Sequence, residues 1–105
     1  MIKKNGKILV LTEQEFIIVS KILKDHPDVI IFGSRVKGTN KPFSDLDICL
    51  KKPMKDYEYT LLREAFEKSN LPFTVDLVDY NKIDDSFRKI IDEEGIPLAF
   101  FIDKK

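Results

Sequence analysis

The segment formed by residues 29–50, VIIFGSRVKGTNKPFSDLDICL, constrains the fold more than any other part of the chain. Residues 29–32 are a continuous β-branched and aromatic run, which predicts a buried strand. Gly33-Ser34 ends that strand, residues 34–37 are compatible with a short helical turn, and residues 45–50 predict the next strand. Two closely spaced apolar strands indicate a sheet around which the remaining elements pack.

The elements outside this segment alternate between helices and strands. Thr12 and Glu15 have the spacing of a capping box and predict a helix that continues to about residue 25. Further helices are predicted over residues 55–69 and 81–94, and strands over residues 73–78 and 98–102, with a short strand at residues 8–11. This order predicts an α+β fold, in which a mixed β-sheet has helices packed on one face.

The composition describes an ordinary globular domain. The chain has 105 residues, 43% of them hydrophobic and 34% charged, which predicts a single domain covering residues 1–105. The 18 basic and 18 acidic residues balance, so no excess of positive charge predicts binding to a long nucleic acid. No apolar run is long enough for a bilayer, no export signal is recognisable, and Cys49 has no disulfide partner. We therefore expect a cytoplasmic location.

The loop after the first strand has the outline of a phosphate-binding loop without its lysine. Gly33 and Gly38 have the spacing of a Walker A motif, but Thr39 stands where that motif requires lysine, which excludes it. A strand that ends in Gly-Ser before a helical turn still lets backbone N–H groups and the Ser34 hydroxyl bind anionic oxygens. The simpler alternative is a tight strand-to-helix turn that binds nothing.

Three aspartates are candidate metal ligands. Asp45 and Asp47 alternate with Leu46 and Ile48, so both carboxylates lie on the same face of the predicted strand. Asp76 stands among apolar neighbours on a later strand. Crowded carboxylates repel one another unless a cation joins them, and hard oxygen ligands suit Mg²⁺. A solvated acidic face is the alternative for the first pair alone, whereas three converging acids can bridge two metal ions in phosphoryl chemistry.

Together these motifs resemble the nucleotidyltransferase superfamily of the DNA polymerase β type, and most closely its minimal nucleotidyltransferase (MNT) domains. That family has Gly-Ser, ten intervening residues and Asp-x-Asp, as in Gly33-Ser34 and Asp45-x-Asp47. Later similarities are VDLV at residues 75–78 and EG…L at residues 94–98. The resemblance implies a polymerase β-like nucleotidyltransferase fold.

The resemblance implies a role for each matching residue. Gly33 and Ser34 are expected to hold the β- and γ-phosphates of ATP, which acts as the nucleotide donor. Asp45, Asp47 and Asp76 are expected to be catalytic and to ligate Mg²⁺, with two ions bound. Asp76 is also expected to help activate the acceptor hydroxyl.

Two cations in the loop are further candidates for nucleotide binding. The loop reads GSRVKG, where the family often has GSRARG. Arg35 and Lys37 would then contact the phosphates, although Lys37 lacks the bidentate fork of arginine. The alternative is that both cations are simply solvated.

The resemblance also implies a partner protein. MNT domains are commonly paired with helical HEPN-domain toxins that cleave RNA, and they act as antitoxins by adenylylating (AMPylating) a toxin tyrosine. We therefore expect an Mg²⁺-dependent protein adenylyltransferase in a hetero-oligomer with a HEPN-type toxin. Two alternatives are an antitoxin that neutralises its partner by binding alone, and a small-molecule nucleotidyltransferase of the aminoglycoside-modifying kind.

Overall fold

The computed structural model describes residues 1–102, and the chain begins with a hairpin. Its strands, β1 (Ile2–Lys4) and β2 (Lys7–Leu9), pair antiparallel. Asn5 and Gly6 form the tip with φ angles of 48° and 78°, the left-handed conformation that a two-residue hairpin turn requires. The short strand expected at residues 8–11 is thus β2, slightly earlier in the chain.

The first helix, α1 (Glu13–Ile22), begins at the predicted capping box. The N–H of Glu15 donates to Oγ1 of Thr12 at 3.1 Å, and the N–H of Thr12 donates to Oε1 of Glu15 at 2.8 Å. The other helices are α2 (Ser34–Lys37), α3 (Asp56–Glu67), the 3₁₀ turn Tyr80–Lys82, α4 (Asp85–Glu94) and α5 (Leu98–Phe101). None of the helices in the described part of the chain is both long and apolar enough to cross a membrane.

The main sheet has four strands in the order β5-β4-β3-β6. These strands are β3 (Ile30–Phe32), β4 (Leu46–Leu50), β5 (Val75–Asp79) and β6 (Ile96–Pro97). β3 pairs antiparallel with β4 and with β6, whereas β4 and β5 are parallel. The sheet is therefore mixed, as the sequence predicts.

Alternate residues of β4 belong to two separate hydrophobic clusters. Leu46, Ile48 and Leu50 pack into the main core, which residues of α1 and α3 complete. Cys49 lies on the opposite face and packs with Ile91 of α4. The predicted α+β fold is therefore confirmed, with the refinement that α4 covers part of the second face while α1 and α3 cover the first.

The strand predicted over residues 98–102 is wrong. The last strand, β6, is only two residues long, and the chain continues directly into α5. Beyond Pro97, the N–H groups of Leu98 and Ala99 donate to the carbonyls of Val29 and Pro27 at 2.9 and 3.0 Å while the chain turns into α5. Leu98 and Phe101 are both buried, and their spacing of three residues puts both side chains on one face of a helical turn.

Candidate active site

Gly33 lies where β3 ends, in a backbone conformation that only glycine adopts readily. Its φ of 84° and ψ of −159° fall in a region that a side chain makes costly. A Cβ built on Gly33 would overlap Oδ2 of Asp47. The glycine therefore allows the Asp47 carboxylate to lie directly against the backbone that leads into α2.

Asp45, Asp47 and Asp76 lie on one face of the sheet, near the start of the parallel strands β4 and β5. Asp47 is in register with Phe32 of β3 on one side and with Asp76 of β5 on the other. Asp45 precedes β4 by one residue and shares the face of Asp47 because side chains alternate along a strand. Asp45 and Asp76 are exposed, whereas Asp47 is half-buried. The structure thus brings the three predicted acids to one face beside Gly33.

Asp47 experiences the strongest electrostatic crowding in this site. Burial, followed by the negative charges of Asp76 and Asp45, raises the pKa of Asp47 from 3.8 to about 6. Both causes disfavour the ionised carboxylate. A cation placed between the carboxylates would remove this penalty, because opposite charge favours the ionised form.

The residues of this site fit Mg²⁺ bound together with a nucleotide. Within residues 1–102, no three His, Cys, Asp or Glu side chains form a ready-made metal cage. Mg²⁺ does not need such a cage, because it keeps several waters and binds through one or two carboxylates plus substrate phosphates. The donors at this face are all carboxylate oxygens, which are hard ligands of the kind that Mg²⁺ prefers.

Ser34 and Gly38 mark the two ends of the short helix α2. Ser34 is its first residue and directly follows Gly33, whose backbone lies against the Asp47 carboxylate. Gly38 ends α2 in the left-handed conformation, at a φ of 76° and ψ of 17°, and a Cβ there would lie 3.1 Å from Cδ1 of Ile8. The second glycine of the loop is therefore a helix C-cap packed against the hairpin.

Arg35 is only 4% exposed and holds the loop between α2 and β4. Its guanidinium donates hydrogen bonds to the carbonyl oxygens of Val10 at 2.7 Å, Ser44 at 2.9 and 3.1 Å, and Pro42 at 3.3 Å. It also lies 4.0 Å from the centroid of the Phe73 ring. Burial lowers the pKa of Arg35. These contacts commit the guanidinium to the loop, and we assign it to that structural role instead of the expected contact with phosphate.

Lys37 is directed towards the end of α4. Its Nζ lies 2.9 Å from Oε2 of Glu94, and both side chains are partly exposed. An exposed pair of this kind contributes about 0.2–1 kcal/mol, so a triphosphate could compete for the ammonium group. Phosphate binding by Lys37 stays a prediction.

Two features of this loop were missed by reasoning from the sequence. One is the structural role of Arg35, for which the sequence contains no local signal. The other is Phe43, which is 74% exposed on the same loop. The Lys41-Pro42 turn signal was sufficient to place Phe43 in an exposed turn, two residues before Asp45.

The candidate site is open to solvent, since Asp45 and Asp76 are both exposed. The cleft of about 270 Å³ beyond the carboxyl ends of β4 and β5 includes Leu50, Tyr59 and Asp79 in its walls. Asp47 and Asp76 lie near the opposite ends of the same two strands. The acidic face alone therefore offers no enclosed chamber for a small acceptor molecule.

Comparison with known proteins agrees with this geometry. The polymerase beta nucleotidyltransferase family matches residues 18–100 of this chain. The chain belongs to this family. The resemblance inferred from Gly-Ser and the spaced aspartates is thereby confirmed. Only the first 17 residues, which include the β1–β2 hairpin, and the C-terminal end lie outside the match.

Two relatives are informative. A protein of Haemophilus influenzae (strain ATCC 51907 / DSM 11121 / KW20 / Rd) named probable protein adenylyltransferase MntA is 41% identical over 86 residues, which cover 77% of this chain and 75% of the relative. A crystal structure of a toxin-antitoxin with AMP-PNP contains a chain that is 26% identical, with a TM-score of 0.62. The similar region covers 79% of this chain and 71% of that chain.

Proposed function

We propose that this chain is a protein adenylyltransferase that transfers AMP from ATP to a tyrosine hydroxyl of a HEPN-type toxin, and thereby acts as its antitoxin. The observation that carries the proposal is the register of Asp47 with Asp76 on adjacent parallel strands, beside Gly33. The name of the Haemophilus influenzae relative and the toxin-antitoxin structure with AMP-PNP support the same class of reaction.

In the proposed reaction, the acceptor hydroxyl oxygen forms a bond to the α-phosphorus of ATP. The bond between the α-phosphorus and the bridging oxygen to the β-phosphate breaks, and pyrophosphate leaves with that electron pair. Asp76 accepts the proton of the hydroxyl; it is exposed, so an acceptor that arrives from solvent can reach it. Gly33 and Ser34 hold the outer phosphates and thereby orient the α-phosphorus for attack.

The acids of the site also hold the expected cofactor. Asp45, Asp47 and Asp76 would bind two Mg²⁺ ions, which supply neutralisation of the negative charge of the triphosphate. Asp47 is held in position by the sheet on both sides. It can therefore keep a fixed orientation as the nucleotide binds, and alignment of this kind accounts for much of the catalysis in such sites.

The openness of the site favours a protein acceptor over a small molecule. A small acceptor needs an enclosed cavity that buries most of its surface, and the cleft beyond the carboxyl ends of β4 and β5 has neither Asp47 nor Asp76 in its walls. A protein acceptor brings its own walls and can close the site from outside. For this reason, we prefer the toxin to an aminoglycoside-like acceptor.

The direct test is transfer of label to the toxin. The purified chain is incubated with Mg²⁺, a HEPN-type toxin, and ATP labelled on either the α- or the γ-phosphate. We expect label on the toxin from α-labelled ATP only. Asp47→Asn and Asp76→Asn should each lower the rate at least about a hundredfold, since each removes charge stabilisation that the transition state requires. The matched control is Asp25→Asn, which changes an exposed aspartate outside the site.

A second measurement separates catalysis from neutralisation by binding. The toxin is expressed in cells together with the wild-type chain or with the double variant Asp45→Asn/Asp47→Asn. We expect growth to be rescued by the wild type and not by the double variant. Rescue by both, without label on the toxin, would instead establish that the chain acts by occlusion, and the proposed transfer would be wrong.

A further inference from the structure

Phe43 is the most exposed large hydrophobic side chain in residues 1–102, with 74% of its surface accessible. It lies in the turn formed by residues 41–44, two positions before Asp45. Two residues span about 7 Å at most, so the Phe43 backbone lies at the rim of the acidic face. An aromatic side chain in this position of a turn is unusual, since polar residues and glycine are preferred there.

The turn that carries Phe43 is fixed by hydrogen bonds between the residues that flank it in sequence. The N–H of Lys41 donates to Oγ of Ser44 at 2.8 Å, and the N–H of Ser44 donates to the Lys41 carbonyl at 3.1 Å. From beneath, the buried Arg35 donates to the carbonyls of Pro42 and Ser44. Phe43 is therefore exposed on a turn whose backbone is anchored by these bonds.

We propose that Phe43 is the docking contact for the acceptor protein, inserting its ring into an apolar patch beside the hydroxyl that receives AMP. This inference rests on the proposed function, because it requires a macromolecular acceptor at the acidic face. Such an acceptor has to cover the open site, and Phe43 is an exposed aromatic residue only two positions from Asp45. Burial of a phenylalanine ring by the partner is favourable because it removes apolar surface from water.

The nucleobase of ATP is the competing occupant, and the surroundings of Phe43 disfavour it. The ring pairs of the described residues are Phe32 with Phe87 and Phe100 with Phe101, and neither of them provides a second wall next to Phe43. A base stacked on this ring would cover one side and leave the other in water. A protein patch can enclose both sides of a side chain that is 74% exposed.

The experiment compares steady-state transfer by the wild type, Phe43→Ala, Phe43→Leu and the control Ile17→Ala. Ile17 is 61% exposed on α1 and gives a matched loss of exposed apolar surface. For Phe43→Ala, we expect KM for the HEPN-type acceptor to rise about tenfold or more. The KM for ATP and the kcat at saturating acceptor should stay within about twofold, since only binding of the acceptor is lost. Phe43→Leu keeps an apolar side chain and should recover most of the acceptor affinity.

Each other outcome overturns the inference in a distinct way. A raised KM for ATP with an unchanged KM for the acceptor would assign the ring to the nucleobase. Unchanged values for both would leave Phe43 without a role in docking. An equal effect of Ile17→Ala would assign the loss to a general change in the surface. A wild-type chain that transfers no label to the toxin would overturn both this inference and the proposed function, whereas an active Phe43→Ala with unchanged constants would overturn the inference alone.

Discussion

Replacing Asp47 with asparagine is expected to stabilise the metal-free chain at neutral pH while it abolishes transfer. Burial, followed by the charges of Asp76 and Asp45, raises the pKa of Asp47 from 3.8 to about 6. The folded state therefore binds this proton more tightly than the unfolded state does. Stability from this group is fully present below about pH 4 and is lost as the pH rises through about 6, because ionisation then favours the unfolded chain.

The size of the effect follows from the pKa of Asp47. The difference between 3.8 and about 6 corresponds to about 3 kcal/mol as an upper limit. Asp47 is half-buried and not fully enclosed, so water screens part of the repulsion, and we expect a gain of about 1–2 kcal/mol. This gain should disappear at about pH 4, where the wild-type carboxyl is protonated in the folded state.

The assay is urea unfolding followed by circular dichroism in the presence of a chelator, at about pH 7.5 and about pH 4. The control is Glu64→Gln, which removes the same charge from an exposed position of α3 and should change stability by less than about 0.5 kcal/mol. Adding Mg²⁺ with a non-hydrolysable ATP analogue should stabilise the wild type more than Asp47→Asn. An Asp47→Asn variant that is no more stable at neutral pH, or a gain of the same size at both pH values, would refute the reasoning.

Three further predictions concern the loop and the second cluster. Gly33→Ala should lower the free energy of unfolding by about 2–4 kcal/mol and abolish transfer, because a clash with Asp47 adds to a strained φ of 84°. The control is Gly6→Ala, at a φ of 78° in open space, which should lower it by about 1 kcal/mol and leave transfer intact. Equal losses in urea unfolding would contradict this. Arg35→Lys should lower the free energy of unfolding by about 2–4 kcal/mol, because lysine cannot reach the same carbonyls. The control Arg63→Lys, at an exposed position, should lower it by less than about 0.5 kcal/mol. Similar unfolding midpoints for the two variants would argue against this role of Arg35. Burial raises the pKa of Cys49 to about 11, so its thiol should react with a disulfide reagent at about pH 8 only after unfolding, and rapid reaction of the native chain would be the contrary result.

The elements that position the acids were predictable because their signals are local. A continuous apolar run indicates β3, and alternation puts Asp45 and Asp47 on one face of β4 whatever its neighbours are. The position of Asp76 could not be predicted from a local pattern in this way. Its alternation with apolar residues on β5 suggested a function, but only the register of β5 with β4 brings it level with Asp47. That register depends on packing between segments about 30 residues apart in sequence, which no local pattern encodes.

The roles of the loop cations could not be predicted for a related reason. Arg35 and Lys37 are two residues apart in a polar loop, and the sequence assigns both the same candidate role. In the folded chain, one partner of Arg35 is the carbonyl of Val10, 25 positions earlier, and the partner of Lys37 is Glu94, much later. Both contacts are long-range. The helix α5 escaped prediction for another reason, since a short apolar run is compatible with a strand or a helix until its burial pattern is known.

The division of one sheet face between acids and apolar residues explains why the site stays open. Along this face of β4, Asp47 is followed by Cys49, which is buried against Ile91 of α4. α4 packs on the apolar end of the face because burial of that surface is favourable. Beside Asp47, Phe32 of β3 is also buried against Phe87 of α4. Asp45 and Asp76 are exposed, and covering their carboxylates would cost desolvation. α4 therefore covers this face at Cys49 and Phe32, and Asp45 and Asp76 stay exposed, which is compatible with the proposed approach of a nucleotide and a protein acceptor.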